Sequence, residues 1–231
     1  IMNKKKKLIL ITGALGQDGI ILSKILIKKK FHVKGIIKPK KYQNKLNDVK
    51  YFKVDLSNVN KLNKLILNLK PDYLVHFGSS NPSYLEKKSK KNFDTKNKTQ
   101  TINLINSLQR YSRNTIFIFA NSSQIFKYKK QAVNESSKIN KKSNYSSFRI
   151  DILKHMISLK KKTKFKFINL ILFNHDSIYR NKKFLIPRIV KSIKDNNYKF
   201  LKEIYTKNIY EDFSHAEDIC NGIYKLINKK I

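Results

Sequence analysis

The stretch Leu8-Ile9-Leu10-Ile11-Thr12-Gly13-Ala14-Leu15-Gly16-Gln17-Asp18-Gly19 decides how the rest of the chain is read. Its first four residues are apolar and long enough for a short buried strand. Gly13, Gly16 and Gly19 follow at intervals of three, and then Ile20-Ile21-Leu22 and Ile25-Leu26 place apolar side chains at helical spacing. Strand, glycine turn and helix, in that order, is what a dinucleotide site requires. The first glycine permits the tight turn, the second lets backbone approach a pyrophosphate, and the third lets the helix pack on the strand. The helix start adds free N–H groups and the positive end of the helix dipole.

Working outward, apolar runs and helical patterns alternate. Phe31–Ile37 reads as the second strand, Tyr51–Val54 as the third, Tyr73–Phe77 as the fourth, Thr115–Ala120 as the fifth and Phe165–Phe173 as the sixth. Between them, Leu62, Leu65, Ile66 and Leu69 mark a helix that Ser57 could cap and Pro71 would stop. A polar, lysine-rich helix over about Lys90–Arg110 has Ile102, Leu104, Ile105 and Leu108 as its buried stripe, and another helix runs over about Tyr145–Lys160. Beyond Asn174 the pattern loosens into helices at Phe184–Asp195 and Ala216–Leu226 around a short extended piece. Continuous apolar strands alternating with helices predict a doubly wound α/β fold of Rossmann type, with a parallel sheet covered on both faces. The division expected is a dinucleotide-binding domain over 1–173 and a short, partial substrate-binding portion over 174–231.

The chain has 231 residues, enough for one ordinary domain with a small appendage, and its 40% hydrophobic content supports a real core. Its net charge of +36 comes from 51 Lys and Arg against 15 Asp and Glu. Lysine dominates and is spread over the whole length, alongside abundant Ile and Asn, as AT-rich codons would write it. No arginine stripe with interleaved aromatics marks a strand-binding face, so a specific nucleic-acid role is not expected. The single cysteine, Cys220, excludes an internal disulfide and fits a reducing, cytoplasmic setting. The N-terminal lysines before Leu8–Ile11 mimic a signal peptide, but the apolar run is too short, and no run reaches membrane-spanning length. The five histidines lack ligand spacing with acids or the cysteine, so no metal is expected. Lys38, Lys40 and Lys41 follow strand two where an acid would take the ribose hydroxyls of NAD, which favours NADP over NAD.

Three further stretches carry a resemblance: Ala120-Asn121-Ser122-Ser123-Gln124, Ser143-Asn144-Tyr145-Ser146-Ser147-Phe148-Arg149, and Leu172-Phe173-Asn174-His175-Asp176-Ser177 with Arg180 after it. Together with the glycine turn and Asp212–Ala216, they resemble the extended short-chain dehydrogenase/reductases of the NAD-dependent epimerase/dehydratase type. Within these they look most like the GDP-mannose 4,6-dehydratases. The likeness covers nearly the whole chain and breaks off with it, where such enzymes usually continue for many tens of residues.

The resemblance implies an NADP-dependent nucleotide-sugar dehydratase, a hydro-lyase acting on GDP-mannose as a homo-oligomer. It implies cofactor contacts from Gly13, Gly16, Gln17, Asp18, Gly19, Lys38, Asp55, Leu56 and Phe77, and substrate contacts from Asn174 and Arg180. Tyr145 would be the acid/base at the sugar 4-hydroxyl and Ser122 the hydroxyl that holds the substrate oxygen. A tyrosine needs a nearby cation for that task, and the family supplies a lysine one helical turn on, where this chain has Arg149. The glutamate that takes the C5 proton is replaced by Gln124, which has no usable basicity. Glu211 stands where the family usually has arginine, and would repel a diphosphate. His175 matches the family and reads equally as a hydrogen-bonding residue after strand six. The catalytic set Ser122, Gln124, Tyr145 and Arg149 therefore reads as degraded. Two alternatives stay open: an epimerase or reductase that does not dehydrate, and a non-catalytic cofactor-binding protein with a decayed site.

Overall fold

The computed structural model describes residues 6–38, 45–79, 90–127, 132–141, 143–207 and 211–229. The chain opens with β1 (Leu8–Thr12), α1 (Gln17–Lys28), β2 (His32–Ile37), β3 (Lys50–Lys53), α2 (Val59–Leu69) and β4 (Tyr73–His76). It continues with α3 (Lys90–Tyr111), β5 (Ile116–Ser122), α4 (Asn144–Lys162) and β6 (Phe167–Leu172). The last part holds β7 (Asn174–Asp176), α5 (Leu185–Lys194), α6 (Tyr198–Tyr205), β8 (Phe213–His215) and α7 (Ala216–Asn228). Of the lysines expected beside the cofactor, Lys40 and Lys41 lie outside the described residues.

Six strands form one sheet in the order β3-β2-β1-β4-β5-β6, and every neighbouring pair is parallel. The chain builds outward from β1 on one side, then crosses back to start β4 on the other. That reversal leaves a crevice beyond the C-terminal ends of β1 and β4, where open α/β sheets bind ligands. β7 and β8 form a separate parallel pair beside it.

Successive side chains of a strand face opposite ways, and the core follows that rule. Leu10, Ile36, Leu74, Phe117 and Phe119 turn to one face, under α2, α3 and α4. Ile9, Ile11, Val33, Ile37, Val75 and Ile118 turn to the other, under α1 and α7. On α7, Ala216, Cys220, Ile223 and Ile227 are buried against α1 in that same core, so the last helix returns to the layer of the first. α7, which lies beyond the boundary expected after Phe173, thus shares its core with α1, β1 and β2. β6 is half-buried along its length, as an edge strand.

Local signals place most elements, with strand ends shifted by one or two residues and the following differences. Asn58, not Ser57, caps α2: its side chain accepts the Lys61 N–H at 3.0 Å. Both residue types cap well, and the adjacent asparagine serves here while the Ser57 hydroxyl accepts from Gln100 Nε2 at 3.1 Å. β3 starts one residue early, and α6 was not anticipated. The buried face of α3 is polar over its first half: Asp94, Asn97, Gln100 and Thr101 are as buried as Leu104, Ile105 and Leu108, while Ile102 is only partly covered. Among the described residues no helix is long and apolar enough to cross a membrane.

Candidate active site

The glycine turn forms one wall of the crevice. Gly13 has φ +69°, and a Cβ there would sit 3.0 Å from the Gly78 backbone at the end of β4. A Cβ at Gly19 would come within 2.4 Å of the Gly13 carbonyl oxygen, so only glycine lets α1 approach its own turn. Gly16 is the N-cap of α1, with extended backbone and no side-chain cap. The first amides of α1 therefore keep their donors for a ligand.

The crevice encloses about 390 Å³, within the range of small-molecule and cofactor clefts. Thr12, Gly13, Leu15 and Gly16 line it from the turn, Lys38, Asp55 and Leu56 from the β2 and β3 ends, and Phe77, Gly78 and Ser79 from the β4 end. Of the residues expected to hold a cofactor, these therefore share one cleft: Gly13, Gly16, Lys38, Asp55, Leu56 and Phe77. A dinucleotide fits the donor set: uncapped amides for a pyrophosphate at the centre, with apolar and acidic groups at the β3 end. The Asp55 carboxylate accepts from Ser57 N–H at 2.8 Å and from Gln100 Nε2 at 2.9 Å. The Ser57 hydrogen bond, aided by Lys96, holds it below the usual carboxylate range. Gln100 was missed in the sequence, although it stands one turn before Leu104 on the buried face of α3.

A buried polar chain ties the two walls together. Thr12 Oγ1 accepts the Gly78 N–H at 3.1 Å and lies 2.6 Å from His76 Nδ1. His76 Nε2 is 3.0 Å from Thr101 Oγ1, whose hydroxyl donates to the Asn97 carbonyl at 2.8 Å. Thr101 has given its proton to Asn97, so it accepts from Nε2–H. Nδ1 is then the acceptor, and the Thr12 hydroxyl donates to it. One neutral tautomer satisfies every group. Burial beside Phe117 and Phe119, with the Arg149 charge nearby, pushes His76 down to about 3.

At the C-terminal end of β5, Ser122 Oγ accepts the Gln124 N–H at 3.3 Å, and the Gln124 side chain is exposed. Tyr145 stands in the first turn of α4, whose start is fixed by a reciprocal Ser143–Ser146 capping box. Arg149, one turn on, is 5% exposed. Its guanidinium carbon lies 4.9 Å from the Tyr145 ring centroid and 5.0 Å from that of Phe148. One guanidinium nitrogen donates to the Ala120 carbonyl and the other to Ser79 Oγ at 2.9 Å. The expected cation is thus beside the tyrosine, over its ring, with its terminal nitrogens taken by Ala120 and Ser79.

Gln17 and Asp18 direct their side chains away from the cleft. Asp18 Oδ1 lies 3.0 Å from His175 Nε2, and Gln17 Oε1 accepts from Ser177 Oγ at 3.0 Å. Their backbone amides alone remain for a phosphate. Asn174 Nδ2 donates to Glu211 Oε2 at 2.7 Å, so the residue expected to hold a sugar nucleotide and the one expected to repel it are hydrogen-bonded to each other. Arg180 stacks its guanidinium 3.8 Å from the Phe184 ring centroid, and its Nε is buried without a partner. Among the described residues no three acids, histidines or cysteines cluster as a metal site would require.

The profile of the GDP-mannose 4,6 dehydratase family matches residues 10–231. A GDP-mannose 4,6 dehydratase of Drosophila melanogaster is 23% identical over 255 residues, covering 99% of this chain and 62% of its own length. This chain thus spans less than two thirds of that relative. Among solved structures, a dTDP-glucose 4,6-dehydratase of Streptomyces venezuelae with NAD bound superposes with a TM-score of 0.80 at 15% identity, over 95% of this chain and 71% of that one. A UDP-glucose 4-epimerase of Thermus thermophilus in complex with NAD gives 0.80 at 14% identity, over 96% and 75%. These two likenesses show a shared fold. With the glycine turn, the switch-point cleft and the family profile in agreement, the chain belongs to the GDP-mannose 4,6-dehydratase family of extended short-chain dehydrogenase/reductases.

Proposed function

We propose that the protein binds NADP in the switch-point cleft and carries out redox chemistry at the C4 hydroxyl of a nucleotide sugar, GDP-mannose being the leading substrate. The observation that carries this reading is the uncapped start of α1 at Gly16, opening into a cleft whose two ends are lined by Lys38, Asp55 and Leu56 and by Phe77, Gly78 and Ser79. Bound there, NADP would take up the hydride that leaves C4. Tyr145 takes the proton of the 4-hydroxyl, with the Arg149 cation on its ring face to stabilise the charge that develops. Ser122 holds the substrate oxygen. The amides that open α1, from Gln17 to Gly19, receive the pyrophosphate, and Lys38 supports the choice of NADP. Asn174 and Arg180 contact the nucleotide sugar. A catalytic unit over 1–173, a substrate portion over 174–231, a homo-oligomeric state and a cytoplasmic setting belong to the same proposal.

Dehydration needs a further step: loss of the C5 proton to a base, with hydroxide leaving C6 as water. Gln124 has no basic lone pair for that proton, and general-base catalysis is typically worth 10²–10⁴-fold. Its amide favours a second reading, an epimerase or reductase that keeps the redox step. The test is mass analysis of products after incubation with NADP and a panel of nucleotide sugars. Loss of water supports the dehydratase. Unchanged mass with altered stereochemistry supports an epimerase. No turnover together with no NADPH binding overturns both.

A further inference from the structure

The segment that leaves β6 runs past the start of α1 and meets it through alternate side chains. His175 Nε2 lies 3.0 Å from Asp18 Oδ1, Ser177 Oγ donates to Gln17 Oε1 at 3.0 Å, and Lys24 Nζ donates to Tyr179 Oη at 2.6 Å. Neighbouring residues face elsewhere: Asn174, just before, bonds Glu211, and Ile178, between Ser177 and Tyr179, is 91% exposed. His175 Nδ1 is 2.7 Å from the Phe173 carbonyl oxygen. Both ring nitrogens thus face acceptors, a carbonyl and a carboxylate, and only the imidazolium has a proton for each. Asp18 Oδ1 also accepts from Gln17 Nε2 at 3.0 Å. The helix start that would carry the cofactor phosphates and the strand that would carry the sugar nucleotide are therefore joined by a partly buried ion pair.

We propose that the Asp18–His175 pair is a positioning device that couples the two ligand sites, so that a nucleoside diphosphate on β7 tightens the dinucleotide at α1 and the reverse. This rests on the functional reading above, in which the cleft takes NADP and Asn174 lies in the substrate site. Coupling of this kind is reciprocal, and a typical size is fivefold or more in affinity. The pair loses its charge when His175 deprotonates. Other charged groups face it: Arg180, which opposes the imidazolium and supports the carboxylate, and Asp176 beside it on β7. From α7, the Cys220 thiol reaches the Asp18 carbonyl at 3.5 Å, and burial pushes that thiol up, with Asp18 and Glu217 adding to the shift.

The experiment titrates NADPH by nicotinamide fluorescence with and without saturating GDP, between pH 6 and pH 9. The protein as it stands should bind NADPH about fivefold or more tightly with GDP present at pH 6. That ratio should fall toward one as His175 deprotonates. Asp18→Asn is nearly isosteric; it should give a ratio near one at every pH. A part that merely supported the fold would lower thermal stability and leave the ratio and its pH dependence unchanged. NADPH binding with no GDP effect, or a ratio that Asp18→Asn preserves, overturns the coupling alone. Failure to bind NADPH at all overturns the functional reading and the coupling with it. Where Asp18→Asn does not fold, His175→Gln takes its place and should likewise give a ratio near one at every pH.

Discussion

Arg149 lies with its guanidinium carbon 4.9 Å from the Tyr145 ring centroid while its two terminal nitrogens reach Ala120 and Ser79. It links the end of β5, the loop after β4 and the first turn of α4. Arg149→Lys would keep a charge but lose the planar fork that bridges two acceptors. The expected outcome is a loss of about 1–3 kcal/mol in urea unfolding, since one buried acceptor loses its donor. Equal stability would show that a lysine reaches both acceptors.

Gln124→Glu concerns the elimination. The side chain is exposed, so the change should cost less than about 0.5 kcal/mol. If substrate binds, C5 proton exchange with deuterated solvent, read by NMR, should rise by about 10²-fold or more. Substantial C5 exchange before the substitution would identify another base.

Gly16→Val tests the cofactor cleft. Its Cβ would meet the Gly13 carbonyl oxygen at 3.2 Å and carry two methyls into the space before the α1 amides. NADPH binding should disappear while the unfolding midpoint stays within a few degrees. Unchanged affinity would move the cofactor elsewhere.

Removing the charge at Lys38, which lines the cleft, should weaken NADPH more than NADH and flatten the salt dependence of NADPH binding. Tighter binding of NADH than NADPH by the unsubstituted protein would reverse the preference.

His76 makes an acid prediction. Its folded value of about 3 lies below the ordinary 6.5, so the native state binds fewer protons than the unfolded state between them. The stability it contributes is complete above pH 6.5 and is lost as pH falls toward 3, on the order of 5 kcal/mol at most. His76→Phe should be less stable at pH 7 by about 1–3 kcal/mol, because Thr12 loses its acceptor. Between pH 6.5 and pH 4 its stability should fall less steeply than that of the unsubstituted protein. Parallel slopes in denaturant titrations would refute the neutral relay.

The fold was readable because its signals are local. Leu8–Gly19 declares the turn, and β1, β4 and β5 are built on short apolar runs that stop at polar residues. The α3 face was misread for a physical reason: Asn97, Gln100 and Thr101 look like solvent residues until the sheet brings His76 and Asp55 against them. Motif position marked Tyr145 and Arg149 as neighbours, but spacing along α4 says nothing of Ala120 or Ser79. Asp18 and His175 are 157 residues apart, and only the return of the chain past α1 makes them partners.

The packing of α7 on α1 bears on how the chain is made. Leu22 and Leu26 sit in a core that Cys220, Ile223 and Ile227 complete. Those residues are synthesised nearly 200 positions later, roughly 10–40 s at the usual pace of translation. Until then the first helix has one oily flank without its cover, in a nascent chain already crowded with lysine. A product whose synthesis stops before Ala216 should leave that flank of α1 uncovered and aggregate or be degraded.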